Sequence, residues 1–398
     1  MVTARVAALL SAFHIPQIGW GATSAFLSNR QLYPNFARTI ASDAAQGQAA
    51  WIWMKFFNIP STTCLYSDAS GEALYHVMAD EAAAVEEAWA IHGIDAPCTE
   101  SNNFNSTCVE QALQDVRSIG SRFLLLGVSA EMLAPTLNTM ALEGMLHNGT
   151  YQTLAFSLFG LQRQAGELSS GLPLGLQQFR LVSSGSKFAR FSEMWTSMTT
   201  EDIYGQEARL RYELDELQNP LENASASMLS DVDFTSTDNL HPMVPFIFDA
   251  GYTLVLAVND LLNSGVAMRN LSGAAILNQI QMTSFEGISG PVSFDRLGER
   301  LNSYDLVNAQ PSHSGDNVLV KIGAYSSATR AMVLDQPPWW ANGEQNAAVP
   351  NGMLECLPRF EKDVATSRCL PCQPGIGCGY RPEDGFPIGV FGPFTSVS

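Results

Sequence analysis

The sequence predicts a two-lobed α/β fold built around parallel sheets. Short apolar strands alternate with longer helical stretches through most of the chain. This alternation is typical of βαβ units, whose parallel sheets are buried on both faces. The chain has 398 residues, which is too long for one ordinary core and long enough for two α/β lobes with a small appendage.

Each element follows from a local pattern. Residues 123–128 form a continuous apolar run, and Asp43 with Gln46 forms a capping-box arrangement that opens a helix. We expect strands near residues 15–20, 36–40, 61–66, 123–128, 153–156, 290–294 and 318–322. We expect helices near residues 43–57, 74–89, 129–146, 244–262 and 272–282, and a long polar surface insertion over 199–240.

The two ends of the chain differ from the middle. The apolar stretch 1–13 carries Arg5 inside it and lacks a small-x-small cleavage site, so it predicts the last turns of a helix and not a signal peptide. From Gln336 onward Pro, Gly and Cys dominate. We therefore expect a boundary near residue 340, with a small Cys-rich segment over 340–398.

Charge and hydropathy argue against two kinds of partner. The formal net charge is −18, whereas nucleic-acid binding requires a cationic face. No apolar run reaches the roughly 18 residues that a membrane-spanning helix requires. The most apolar stretch, 244–262, contains Asp249, Asn259 and Asp260, so we expect a buried core helix there.

The cysteines favour an oxidising compartment. Cys98 and Cys108 bracket a polar loop that a disulfide would close, and Cys64 in an apolar run is expected to be a buried free thiol. The C-terminal cysteines have two possible interpretations: they form disulfides, or they form a zinc site that lacks a nearby His. That cluster comprises Cys356, Cys369, Cys372 and Cys378. Candidate N-glycosylation sequons lie at Asn105, Asn148, Asn223 and Asn270.

The sequence contains no recognisable catalytic constellation. It lacks a Gly-x-Ser-x-Gly elbow, a His-Glu-x-x-His pair and a phosphate loop that ends in Gly-Lys-Ser/Thr. The six His residues are dispersed and have no partner at metal-ligand spacing. We therefore expect a binding protein, not an enzyme, with no cofactor and no metal.

Three strings carry the strongest information. Residues 15–24 read IPQIGWGATS, residues 248–252 read FDAGY, and residues 285–295 read FEGISGPVSFD before Gly298, Glu299 and Arg300. Together they resemble the receptor-type ligand-binding region, the periplasmic-binding-protein-like clamshell shared by metabotropic glutamate receptors, natriuretic peptide receptors and bacterial periplasmic amino-acid-binding proteins. The resemblance spans about residues 1–330 and begins mid-lobe, without the family's first strands.

The resemblance implies two lobes with a ligand-binding cleft between them. Lobe one would comprise about residues 1–38 and 184–305, and lobe two about 39–183 and 306–335. The beginning in mid-lobe predicts an exposed apolar edge near residues 15–20. The Cys-rich segment resembles the stalk that joins such regions to a membrane span. Dimerisation through lobe one is a further implication.

The first string also has a chemistry of its own. A strand that ends in Gly-Ala-Thr-Ser presents hydroxyls and backbone N–H groups where open α/β sheets bind ligands. Thr23 and Ser24 are therefore ligand-binding candidates, with a turn or cap role as the alternative. In glutamate-type receptors the matching Thr and Asp hold the amino group of the ligand, which makes Asp43 a candidate. The alternative for Asp43 is a plain helix N-cap.

Other parts of the glutamate-type site are replaced in this chain. Ser70 stands near the position of an aromatic cover, Ser157 near that of an acid, and Met243 near that of a Lys. The remaining candidates across the cleft are Ser70, Ser157 and Phe159. A second ligand carboxylate would have no partner, so the expected ligand is small and either neutral or singly charged.

The sequence therefore predicts the extracellular ligand-binding region of a cell-surface signalling receptor. It would close on a small-molecule ligand and signal through a membrane segment outside this chain. The alternative is a solute-binding protein that delivers a small molecule to a transporter. A hydrolase on this scaffold is a third class, and the lack of a nucleophile–base signature argues against it.

Overall fold

The computed structural model describes residues 2–100, 103–147, 149–156, 167–199, 236, 240–313 and 315–372. The helices in these residues are α1 Val2–Ala12, α2 Asp43–Phe56, α3 Ala69–Ala83, α4 Ser106–Ile119, α5 Ala130–Leu142, α6 Phe188–Ser197, α7 Val244–Asn263 and α8 Gly273–Met282. The strands of the N-terminal half are β1 Gln17–Gly19, β2 Phe36–Arg38, β3 Ser61–Tyr66, β4 Ala90–Asp95, β5 Thr99–Glu100, β6 Asn103–Phe104, β7 Phe123–Gly127 and β8 Gln152–Phe156. Those of the C-terminal half are β9 Gln177–Leu181, β10 Phe285–Gly287, β11 Gly290–Val292, β12 Ser303–Pro311, β13 Asn317–Ser326, β14 Ala331–Leu334, β15 Phe360–Lys362 and β16 Cys369–Pro371.

One eight-stranded sheet dominates the structure, with strand order β14-β13-β12-β9-β8-β7-β3-β4. The five strands from β9 to β4 in this order pair in parallel, and β12, β13 and β14 add antiparallel pairs. Helices α2 and α3 cover one face, and helices α4 and α5 cover the other. We refer to this body as lobe two. The mixed α/β class with a large, mostly parallel sheet is confirmed.

The second body, lobe one, contains helices α1, α7 and α8 with two short strand pairs. Strands β1 and β2 pair in parallel, and β10 and β11 form a hairpin. Two small cores stabilise it, one around Ala257, Leu277 and Ile280, and one around Tyr33 and Phe36. Two strands alone are not a stable sheet, so lobe one depends on contacts between its helices and its loops. Ile15 and Trp20 are nearly half exposed, as expected for the apolar edge of β1.

Several elements differ from the sequence predictions. Strand β3 lies where it was expected, but the helix expected over 74–89 ends at Ala83. Trp89 lies directly before β4 and packs edge to face on Trp51, with ring centroids 5.1 Å apart, so its spacing reflects core packing and not helical continuation. Helix α4 and strands β4, β9 and β12 were missed. The insertion expected over 199–240 lies almost entirely outside the described residues.

Helix α7 is buried along one face and not throughout, contrary to the prediction of a core helix. Phe246, Asp249 and Thr253 are buried, whereas Phe248 is half exposed and Val255 is 62% exposed. Among the described residues it is also the one helix long and apolar enough to cross a membrane, a test that core helices of soluble proteins also pass. Ala257 packs against α8 and β11, whereas Phe246 near the start of the helix packs into the large core of lobe two.

The disulfides organise the outer parts of lobe two and the C-terminal segment. Cys98 bonds Cys108 with Cα atoms 5.4 Å apart, and Cys356 bonds Cys369 with Cα atoms 5.6 Å apart. Cys372 is also disulfide-bonded, and Cys378 lies outside the described residues. Cys64 is a buried free thiol whose pKa is raised to about 12 by burial. Disulfides, and not a zinc site, therefore account for the described cysteines of the C-terminal cluster.

Residues 337–360 pack firmly on lobe two. The Trp340 ring is fully buried and meets Phe57 edge to face, with centroids 5.1 Å apart. The buried Asn308 amide accepts from the Trp339 N–H at 2.8 Å and donates to the Trp339 carbonyl at 3.0 Å. The Leu357 N–H donates to the Gly120 carbonyl at 2.8 Å. The part of the chain that follows the last strand of the sheet is thus continuous with the core of lobe two.

Trp340→Ala should destabilise lobe two by about 3–5 kcal/mol, because it removes a fully buried aromatic ring and leaves a cavity. Urea unfolding followed by circular dichroism measures this loss. Trp20→Ala is the matched control, since that ring is 44% exposed and its removal should cost far less. Equal losses for the two variants would show that residues 337–360 do not belong to the core.

Candidate functional site

Buried Arg38 at the end of β2 fixes the loop that carries the first two candidate residues. Its guanidinium donates to the Ala22 carbonyl at 2.9 Å, the Ser24 carbonyl at 3.0 Å and the Ser28 hydroxyl at 2.6 Å. Its Nε–H pairs with the carboxylate of Glu299. A guanidinium has five donors in a rigid fork, so one side chain holds residues 22–28 in a single conformation.

Three of the predicted site residues converge where the chain crosses from lobe one to lobe two. The Asp43 N–H donates to the Thr23 carbonyl at 2.8 Å, and the Ser70 hydroxyl donates to Asp43 Oδ2 at 3.0 Å. Asp43 is only 3% exposed. Thr23 belongs to lobe one, and Asp43 and Ser70 belong to lobe two, so the cluster joins the two bodies.

Burial raises the pKa of the Asp43 carboxyl, and hydrogen bonding by the hydroxyls of Thr23 and Ser70 partly offsets this rise. The positive charge of Arg38 also lowers the pKa of this carboxyl, whereas the nearby Asp68 raises it. The arrangement therefore keeps a carboxylate acceptor in a site with little solvent, where an added hydrogen-bond donor or cation would be favoured.

Local capping explains why these side chains meet. Ser42, and not Asp43, is the N-cap of α2, because its hydroxyl accepts from the Ala44 N–H at 3.1 Å. The N-cap alternative for Asp43 is therefore wrong, and its carboxylate is free to point toward Thr23 and Ser70. Asp68 caps α3 by accepting from the N–H groups of Ser70 and Gly71 at 2.9 Å and 3.0 Å. Both carboxylate-bearing turns lie at helix N-termini, where negative charge is stabilised.

Ser24 is less closely involved than these three residues. Ser24 is exposed and begins the short 3₁₀ turn Ala25–Ser28, and its hydroxyl makes no cap hydrogen bond. Ser157 and Phe159 lie outside the described residues. Which of the six candidate residues contact a ligand stays a prediction.

The cluster lies at the carboxyl ends of the parallel strands β3 and β7. The Ser67 hydroxyl accepts from the Ser129 N–H at 3.1 Å and joins the loops that follow the two strands. Gly71 touches β7 so closely that a Cβ atom there would lie 1.8 Å from the Gly127 carbonyl oxygen. Neither of these roles, of Ser67 and of Gly71, was predicted from the sequence. Open parallel sheets bind ligands at this edge, so the cluster occupies the position where a ligand is expected.

An apolar side chain forms the lobe-one wall beside the cluster. The Met243 methyl carbon lies 3.6 Å from where a Cβ atom of Gly21 would be, and Met243 is buried. The nearest described cation, Arg38, is already paired with Glu299. The described part of the site therefore offers a carboxylate and hydroxyls but no unpaired cation.

A buried polar network holds the crossover segment in place through Thr39, and it was not predicted from the sequence. Arg300 donates to the Thr39 carbonyl at 2.9 Å and to the Ser289 hydroxyl at 2.6 Å, and it lies 3.8 Å from Asp249. Asp249 accepts from the N–H groups of Ile288 and Ser289 at 2.8 Å and 3.0 Å. Burial lowers the pKa of Arg300 to about 10, so it remains charged at neutral pH.

The fold agrees with a comparison against protein-family models. The model described as the receptor family ligand binding region matches residues 1–312, which is more than three quarters of the chain. The chain belongs to this family. It is therefore the ligand-binding region of a receptor-type protein, and a small-molecule ligand is implied in general terms. Within the described residues, no group of three or more His, Cys, Asp or Glu could hold a metal ion.

Asp43→Asn should change how stability depends on pH. Because the folded-state pKa of Asp43 is raised, its ionisation disfavours the folded state. The wild type should therefore lose stability relative to Asp43→Asn as the pH rises from about 4 through the raised pKa. Urea unfolding of both proteins between pH 4 and pH 7 measures this difference. Asp80→Asn on the exposed face of α3 is the control, and a pH-independent gap for Asp43→Asn would contradict the assignment.

Asp249→Ala should cost about 3–5 kcal/mol, because it leaves the charge of the buried Arg300 without its carboxylate partner and two backbone N–H groups without an acceptor. Asp260→Ala, on the exposed side of the same helix, should cost under about 1 kcal/mol. Thermal and urea denaturation report both values. A loss for Asp249→Ala no larger than that of the control would show that the network does not stabilise the crossover.

Proposed function

We propose that this chain is the extracellular ligand-sensing region of a cell-surface signalling receptor that closes on a small ligand. The observation that carries the proposal is the meeting of Thr23 from lobe one with Asp43 and Ser70 from lobe two. A ligand bound there would contact both bodies. Contacts made only in the closed state would shift the equilibrium toward closure by their differential free energy.

The proposed ligand is small and carries a donor group such as an ammonium, with at most one net charge. The Asp43 carboxylate supplies the acceptor, and the Thr23 and Ser70 hydroxyls could turn toward the ligand. Met243 offers an apolar wall. A second ligand carboxylate would meet no free cation among the described residues, and burying it unpaired would cost several kcal/mol.

The hydrogen bonds around Thr39 would hold the lobe-one end of the crossover segment in place during closure. The Thr39 hydroxyl donates to the Phe246 carbonyl at 3.0 Å, and its carbonyl accepts from Arg300. These bonds tie the crossover to α7 and to the turn after β10. Closure would therefore rotate lobe two about the crossover segment that follows β2, whose lobe-one end is fixed.

The C-terminal segment would transmit the rotation of lobe two beyond the sheet. Trp339, Trp340 and Leu357 are tied to lobe two by hydrogen bonds and by core packing. A rotation of lobe two would therefore move the disulfide-closed hairpin from Cys356 to Cys369 as one body. We propose that this hairpin leads toward a membrane-linked effector and that two copies associate through lobe one. We further propose that the chain carries no catalytic activity.

Two features support the extracellular location. The disulfides indicate an oxidising compartment. Of the four sequons, Asn270 is exposed, and the side-chain Oδ1 of Asn105 caps α4 by accepting from the Cys108 N–H at 3.1 Å. Asn148 and Asn223 lie outside the described residues. Glycosylation at Asn270 fits this proposal.

The alternative is a solute-binding protein that delivers a small molecule to a transporter. The cleft chemistry suits both functions. The docked, disulfide-closed hairpin after the clamshell favours the receptor, because a carrier needs only the two lobes.

Isothermal titration of the full chain against alanine, serine and glutamate tests the proposed site. Alanine or serine should bind more tightly than glutamate, and Asp43→Ala should weaken binding at least tenfold because it removes a charge-assisted hydrogen bond. Asp80→Ala, on the far end of α3, is the control and should bind like the wild type. Tight glutamate binding that survives Asp43→Ala would overturn both the site and its selectivity.

A further inference from the structure

The C-terminal hairpin docks on the amino ends of three strands of the lobe-two sheet. The Phe360 ring packs directly over Gly120 in the turn before β7. Ser367 lines a narrow crevice with Ser61 at the start of β3, and Arg368 shares a concave surface with the start of β4. The hairpin therefore lies across the ends of β7, β3 and β4.

His92 is the third residue of β4, which lies at the edge of the sheet and pairs with β3. Ile94 of the same strand and Phe360 of the hairpin pack against the core under α4. His92 lies on this face as well, because alternate residues of a strand share a face. The docked hairpin and the imidazole therefore occupy the same side of the sheet.

The environment of His92 suits a neutral imidazole. The side chain is half-buried, and its Nε2 atom is closed to solvent without a hydrogen-bond partner among the described residues. Protonation gives both ring nitrogens an N–H donor and places a positive charge on the ring. A buried donor without an acceptor is costly, so protonation opposes the packing seen here.

The charges around His92 act in the same direction. Burial lowers the pKa of His92, and the positive charge of Arg368 on the hairpin lowers it further. The described elements on this face, α4 and the hairpin, carry other charged side chains, and none of them forms an ion pair or a hydrogen bond with His92. These residues are Glu110, Asp115 and Arg117 on α4 and Glu361, Lys362 and Asp363 on the hairpin.

We propose that protonation of His92 releases the C-terminal hairpin from lobe two. Undocking would separate the imidazole from Arg368 and open the amino end of β4 to water, so the undocked state would bind the proton more readily. Docking is therefore at full strength above about pH 6.5 and weakens as the pH falls from there through the lowered pKa of the docked state.

Acid would thus disconnect the hairpin from the rotation of lobe two. In the proposed receptor this would weaken the transmission of closure without any change in the cleft. The release itself requires only the docked hairpin and no cleft ligand. Failure of this proposal and failure of the proposed function are therefore distinguishable.

Histidine NMR and amide hydrogen exchange of the full chain, from about pH 7.5 to about pH 5, test the release. The His92 Cε1 proton should titrate below about pH 6.5. The Leu357 N–H donates to the Gly120 carbonyl at 2.8 Å, so its exchange reports docking. After correction for the intrinsic effect of pH, its exchange rate should rise severalfold as the pH falls. Amides of β7 should show no such rise, because the release is local.

Three variants assign the effect to these residues. His92→Gln should abolish most of the rise in Leu357 exchange, because an amide does not titrate. Arg368→Gln should raise the pH at which His92 titrates, because it removes the neighbouring positive charge. His76→Gln, on the exposed face of α3, is the matched control and should behave like the wild type.

Four results would overturn the proposal. They are a constant corrected exchange rate for Leu357, a rise that persists in His92→Gln, an equal rise in β7, and a His92 titration that Arg368→Gln leaves unchanged. A wild-type His92 that titrates at or above its ordinary pKa would do the same. That last measurement needs no variant, so it decides the matter even if His92→Gln does not fold.

Discussion

The buried guanidinium of Arg38 is the interaction on which the candidate site depends. It connects the loop 22–28 and the end of β2 with Glu299, which lies 261 residues further along the chain. Glu299 also pairs with Arg30 at 2.7 Å, so one carboxylate balances two cations. Without Arg38, Thr23 would sit on a loop with no fixed position. Its backbone bond to Asp43 would then have to overcome the loop's conformational entropy.

The second constraint is the buried Asp249–Arg300 network behind the crossover. A buried ion pair is poor evidence for stability by itself, because desolvation offsets much of the attraction. Here every partner is satisfied by backbone and hydroxyl groups of the segments it joins. The network therefore fixes geometry: it holds Thr39 in place while the two-stranded sheet of lobe one contributes little rigidity.

Lobe two, unlike lobe one, is built on a rigid eight-stranded sheet. Trp340 joins this sheet to the C-terminal hairpin. Helix α3 has one end at the cleft, where Ser70 meets Asp43, and the other at the seam with the hairpin. A ligand in the cleft would therefore act on a rigid body that reaches the hairpin.

The sequence by itself determined the α/β class, most strands of the parallel sheet, the Cys98–Cys108 disulfide and the family, because these depend on local periodicity and on short motifs. It also selected Thr23, Asp43 and Ser70. Only the tertiary structure decided that these three meet, that Ser42 caps α2 in place of Asp43, and that Arg38, Asp249 and Arg300 hold the crossover. The helix wrongly extended to Trp89 and the missed strand β12 have the same cause. Their side chains pack against residues far away in sequence, and no local pattern encodes which distant groups a buried side chain will contact.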